Sequence, residues 1–173
     1  GLHYWNGGIK VSGKGETNVP GLFAAGEVQG GTMGANRLSG NAVTEAVVFG
    51  ALAGGNAADY AKNEPLPEFN KDQVDWYRKQ IYQPLTRNDG FDIFETRKKL
   101  QYLAFKYLGP LREESGLTTC LEEVEKMDRE VLPNMATTIK GKICNREWVV
   151  ALENQALLFV LETVARSSLM RKE

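Results

Sequence analysis

Histidine and cysteine are scarce here, with one histidine and two cysteines among 173 residues. Cys120 and Cys144 lack the short spacing of a metal-ligand pair, and a lone histidine cannot complete a ligand set, so a structural zinc is excluded. So few thiols also exclude a disulfide-stapled scaffold, and an intracellular, reduced setting is expected. Neither sign of charge dominates: 21 basic residues face 22 acidic ones. Nothing in that balance favours nucleic acid or an anionic membrane as a partner. Long hydrophobic runs are missing as well. The run at 156–161 is bracketed by Glu153 and Glu162, far short of the roughly 20 apolar residues that span a bilayer. A soluble, cytoplasmic chain without direct membrane insertion is therefore expected. No leader peptide is visible, yet the chain opens on Gly1 and runs straight into "GLHYWNGGIKV". A truncated N-terminus is the expectation.

What is present divides unevenly. Residues 1–62 hold 14 of the 18 glycines but only 8 of the 43 Asp, Glu, Lys and Arg residues. The remainder is glycine-poor and densely charged. Between them "KNEPLPEFN", with two prolines among polar residues, reads as an extended linker. The expected organisation is a glycine-rich α/β part over 1–62, a linker over 63–70 and a helical part over 71–173.

In the first part, 8–11 and 22–25 are short apolar segments expected to be strands of one sheet, and Pro20-Gly21 suits a type II turn between them. Residues 42–62 read as a helix with Asn41 as its N-cap. Gly50, Gly54 and Gly55 each cost that helix about 1 kcal/mol relative to alanine, which suggests close packing against a sheet or ligand. In the second part, helices are expected at about 71–83, 92–108, 118–132 and 145–171. Asn70 with Gln73 and Thr119 with Glu122 form the capping-box pattern, while Pro84, Gly109-Pro110 and Gly116 are natural stops. The last helix is apolar over much of its circumference, as the central helix of a bundle would be. Trp148 and Phe159 on it are expected in the core. The charges of "EEVEKMDRE" and "RKK" suit solvated faces.

The stretch carrying chemistry is "MGANRLSGNAVTEAVVFG", residues 33–50. A segment ending in "AAGE" enters a glycine-rich loop, Arg37 lies within it, and a helix begins a few residues later. Strand, loop and helix N-terminus in that order present unpaired backbone N–H groups, here those of Ala42 and Val43, to an anionic ligand. No strict GxGxxG accompanies it.

Several motifs together are more specific: "HYWNGGI" (3–9), "GLFAAGE" (21–27), "GANRLSGNAV" (34–43) and "VVFGALAG" (47–54), followed by "GPLREESGL" (109–117) and "ARSSLMRKE" (165–173). In order and approximate spacing the chain resembles the C-terminal portion of succinate dehydrogenase and fumarate reductase flavoproteins, over essentially its whole length. The resemblance implies an α+β chain: the end of an FAD-binding α/β domain, a linker, then a mostly helical bundle. It implies FAD as cofactor, with Glu27 meeting ribityl hydroxyls and Asn41, Ala42 and Val43 meeting the pyrimidine edge of the flavin. His3 and Arg37 match positions holding a carboxylate of a dicarboxylate substrate. Arginine suits that task because its planar fork donates two parallel hydrogen bonds and stays charged when desolvated.

Met33 stands where many family members carry histidine, Trp5-Asn6 where a pair ending in methionine is common, and Ala42 where serine is frequent. The motif therefore specifies a dicarboxylate rather than one compound. The implied activity is interconversion of succinate and fumarate, with an iron–sulfur subunit or other electron carrier as partner and membrane association through partner subunits. The family's N-terminal dinucleotide fingerprint and proton-delivering arginine precede the matched portion, so the chain alone is expected to be inactive. L-aspartate oxidase shares the scaffold and is the nearest enzymatic alternative. A helical module docking an iron–sulfur subunit, with no catalysis, is the alternative from another class.

Overall fold

The computed structural model describes residues 6–34 and 36–171. The chain forms two compact units, Gly1–Phe69 and Asn70–Glu173.

In the first unit two short strands, β1 (Ile9–Lys10) and β2 (Gln29–Gly30), pair in parallel with Ile9 opposite Gln29. Residues 22–25 do not join them, contrary to the strand expected there. The Pro20-Gly21 turn explains this. Leu22 N–H donates to the Val19 carbonyl at 3.1 Å and Gly21 has a φ of 78°, as a type II turn requires. So tight a turn folds 22–25 back on 15–17, through Thr17 to Leu22 and Ala24 to Gly15, with Glu16 and Phe23 as the bridge pair. The vacant side of β1 is taken by β2, after a single 3-10 turn at Gly26–Val28.

The long helix α1 spans Asn41–Asn63. Its N-cap is Gly40 rather than Asn41, and no side chain caps it. Gly40 has a φ of 87°, a left-handed conformation that glycine reaches without steric cost. Asn41 is thereby pushed into the helix as its first residue. A β-carbon at Gly50, Gly54 or Gly55 would meet nothing within 4 Å among the described residues, so no strand packs closely on them there. Only Glu45 and Ala53 of α1 are buried, and Val43, Val47, Val48 and Leu52 lie exposed.

The second unit is helical: α2 (Lys71–Thr86), α3 (Ile93–Tyr107), α4 (Glu114–Glu130) and α5 (Arg146–Met170). Three of the four N-termini are capped by side chains. The oxygens of Asn70, Asp92 and Asn145 accept from the backbone N–H three residues on, at 2.9, 2.8 and 3.0 Å, each cap worth about 1 kcal/mol. The Thr119–Glu122 box is not used. Helix α4 starts a turn earlier, because Glu114 and Ser115 extend it toward its positive end, and Thr119 instead donates back to the Ser115 carbonyl at 2.9 Å. Gly116 consequently lies inside α4. Pro84 does not stop α2 either. The helix runs on to Thr86, and the Pro84 carbonyl, in the last turn where no helical N–H reaches it, accepts from Thr137 N–H at 3.0 Å and Oγ1 at 3.2 Å.

The core lies where α3, α4 and α5 meet. Leu100, Cys120, Val124, Met127, Met135 and Ala151 are essentially inaccessible, and each large apolar side chain among them contributes about 1.5–3 kcal/mol by leaving water. Helix α5 buries Val150, Asn154, Leu158, Leu161 and Ala165, a stripe at helical spacing. By length and composition α5 could cross a bilayer, a possibility that counting uninterrupted apolar runs does not register. Here α2, α3 and α4 all pack against it, as suits the central helix of a bundle. Phe159 corrects expectation: it is 68% exposed. Trp148 is half-buried, stacked on Tyr82 and donating from Nε1 to the Ile81 carbonyl at 2.7 Å. Arg97 of "RKK" is also no free surface cation, since Nε donates to Asn154 and a terminal nitrogen pairs with Glu153.

Candidate functional site

The first unit carries the sequence-derived site. Glu27 sits exposed on the Gly26–Val28 turn. That turn packs against α1: a β-carbon on Gly26 would come within 3.8 Å of Ala46, in the second turn of the helix. Glu27 and the start of α1 are thus brought to the same region. Asn41 and Val43 are exposed and Ala42 is half-buried. Arg37 is half-buried in the loop before them, with Nη1 3.5 Å from the Leu38 carbonyl. His3 lies outside the described residues.

The N-terminus of α1 suits an electron-rich ligand edge. The N–H groups of Ala42 and Val43 fall among the first four of the helix, which have no intrahelical carbonyl. Gly40 has no side chain with which to cap them and the first turn holds no acid, so their dipole is not answered from within the turn. Such donors fit the carbonyl and nitrogen acceptors of a flavin pyrimidine edge, and the exposed Glu27 carboxylate fits hydroxyl groups. The residues present are therefore compatible with FAD.

Two further residues hold this arrangement, and the sequence reading passed over both. Glu45 is buried at 3% exposure; one carboxylate oxygen accepts from Gln29 Nε2 at 3.2 Å and from Thr32 Oγ1. It thereby ties the strand and loop preceding Arg37 to the second turn of α1. Gln29 is equally buried, and its Oε1 accepts no hydrogen bond among the described residues. The available signal was an acid within the apolar run "AVTEAVVFG". A carboxylate at that place needs a polar partner once buried, and it also lies near the positive end of the helix.

Comparison with known proteins places this geometry in context. Residues 1–43 match the FAD binding domain, and residues 97–173 match the fumarate reductase flavoprotein C-terminal domain. An uncharacterized FAD-dependent oxidoreductase of Methanocaldococcus jannaschii is 33% identical over 99% of the chain and 30% of its own length. L-aspartate oxidase of a Nostoc species is 35% identical over 74% of the chain and 22% of its own length. Among solved structures, Mycobacterium smegmatis Sdh1 in complex with UQ1 superposes with a TM-score of 0.90 at 32% identity, over 99% of this chain and 29% of that one. The chain thus spans less than a third of the length of these relatives. Its architecture is the end of an FAD-binding α/β domain followed by a helical C-terminal domain, and its cofactor is FAD. The chain belongs to the succinate dehydrogenase and fumarate reductase flavoprotein family.

Proposed function

We propose that the chain supplies one wall of the active site of an enzyme interconverting succinate and fumarate, or a closely related dicarboxylate pair. The observation carrying this reading is the uncapped, acid-free start of α1 directly behind the Arg37 loop. Bound FAD would supply the hydride-accepting and hydride-donating centre at its N5 atom. Asn41, Ala42 and Val43 would bind the pyrimidine edge through the positive end of α1, an interaction of about 0.3–2 kcal/mol that favours negative charge there. Glu27 would accept hydrogen bonds from ribityl hydroxyls. Arg37, with His3, would hold one carboxylate of the substrate, orienting the reacting carbons and drawing charge toward the guanidinium. Glu45 acts at one remove, fixing the loop through Thr32 and the strand through Gln29.

The other walls, the proton donor and the electron partner come from elsewhere in this reading. An iron–sulfur subunit or another carrier would connect the site to electron transport, in the cytoplasm or at a membrane through partner subunits. The chain alone is then inactive, and measurable fumarate turnover by the purified chain would refute that part. The test of the site is Arg37→Lys in the flavin-loaded holoenzyme. Lysine keeps the charge but loses the fork, so KM for fumarate should rise about tenfold or more with flavin content unchanged; an unchanged KM removes Arg37 from the substrate site. The likeness to L-aspartate oxidase favours one second reading. Turnover of L-aspartate in place of succinate by the same holoenzyme would select it.

A further inference from the structure

Helix α2 borders two adjoining concavities in the second unit. One, of about 470 Å3, is walled by Trp76, Tyr77, Ile81, Pro84, Leu158 and Phe159. Trp76, Tyr77 and Phe159 are 56%, 53% and 68% exposed, an unusual concentration of aromatic surface on one helical unit. The other, of about 330 Å3, is bordered by Lys79, Tyr82, Thr86 and Arg87, and Gln83 lines both. The loop ahead of α5 adds two more cations. Lys142 places its ammonium 4.4 Å from the centre of the Tyr82 ring, and Lys140 donates to the carbonyls of Arg87 and Thr137.

Lys79 and Arg87 thus border the same concavity as Tyr82, Lys142 lies on its ring and Lys140 reaches the Arg87 carbonyl. Arg87 also donates from Nη1 to Asn134 Oδ1 at 3.2 Å, and none of the four joins an ion pair among the described residues. That is unexpected in a chain whose acids outnumber its bases by one. The nearby carboxylate of Glu147 is committed to Thr138 and Ile139. At the apolar groove the sign reverses, since Asp128 and Glu162 line it and Glu162 holds Arg166.

We propose that this surface docks an amphipathic segment of a partner protein, which sets apolar side chains in the groove and carboxylates against the Tyr82 cation cluster. Charge complementarity selects the occupant. Four unopposed cations attract an acidic segment and steer its approach, while the aromatic groove supplies the desolvated anchor that such a segment needs. Nucleic acid has no apolar side chains to fill the groove, and Asp128 and Glu162 lining it would repel its phosphates. The proposal stands apart from the flavin reading, because every residue in it belongs to the second unit.

The test is fluorescence anisotropy of a labelled helical peptide of leucine and glutamate added to the complete chain, beside the same peptide with glutamine for glutamate. Short single-stranded RNA and phosphatidylglycerol vesicles serve as competing probes. The acidic peptide should bind about tenfold more tightly than its neutral counterpart. Lys79→Glu with Lys142→Glu should abolish that preference, and Phe159→Ser should weaken both peptides about fivefold. Lys79→Gln with Lys142→Gln provides a milder pair should the reversed charges disturb folding, as judged by helical circular dichroism. Equal binding of the two peptides, no binding at about 1 mM, or a preference retained in both lysine pairs overturns the proposal. RNA or vesicles bound more tightly than the acidic peptide overturns it in favour of a polyanion.

Discussion

Replacing Asn154 tests what holds the helical unit together. This side chain is completely buried; Oδ1 accepts from Arg97 Nε at 2.7 Å, and Nδ2 donates to the Ile93 carbonyl at 2.9 Å. It joins α5 to the first turn of α3, and it also lies 3.7 Å from the sulfur of Met135. Asn154→Leu keeps the branched shape but removes both polar groups and strands their partners. The bond to the guanidinium is worth about 1.5–3 kcal/mol and the amide–carbonyl bond about 1 kcal/mol, so a loss of about 3 kcal/mol is expected. Glu153→Gln breaks only the more exposed arm of Arg97 and should cost under about 1 kcal/mol. Because the penalty lies in stranding a partner, Arg97→Met in the Asn154→Leu background should cost less than the two single losses added together. A coupling of about 1.5 kcal/mol is expected from this cycle. Urea unfolding followed by far-ultraviolet circular dichroism measures all four proteins, with the m-value checking that the unfolded states are comparable. Additive single losses, or an Asn154→Leu cost below about 1 kcal/mol, would refute a coupled buried network.

Two other outcomes follow from the same unit. Glu147 accepts from Thr138 Oγ1 at 2.7 Å, Thr138 N–H at 2.6 Å and Ile139 N–H at 3.2 Å; the Thr138 hydroxyl leads in holding its carboxyl below the ordinary value, against an opposing effect of burial. A depressed folded-state pKa stabilises above the unfolded value of about 4.3 and loses that contribution as pH falls through the lower folded one. Glu147→Gln should therefore destabilise at pH 7 and flatten the acid limb of the stability curve, and an equal loss at pH 7 and well below 4.3 would contradict this. For the thiols, Cys144 is exposed, whereas Cys120 is inaccessible and burial pushes its pKa up. An aromatic disulfide reagent should titrate one thiol in the native chain and two in guanidinium; equal native rates would mean that the α3–α4–α5 core opens freely.

Local chemistry was legible in the residues themselves. Asn70 caps α2 as its spacing with Gln73 implies, and Pro20-Gly21 turns the chain where the dipeptide stands. Each depends on groups within a few positions of one another, so proximity in sequence is proximity in space. The family was legible for a related reason, because a loop and helix start that meet a ligand constrain consecutive residues. Glu45 was not, since its partners Gln29 and Thr32 lie in other segments.

What sequence alone determined is thus the helical character of the second unit, the Asn70 cap, the glycine-rich loop before α1 and the family motifs. Tertiary structure alone decided that β1 pairs with β2 and not with 22–25, that Thr137 meets the Pro84 carbonyl at the end of α2, and that Phe159 faces solvent. The physical reason is common to all three. Hydrogen bonding and burial depend on which distant segment reaches a group first, and a hydrophobic pattern can nominate an apolar face without naming the neighbour that will cover it.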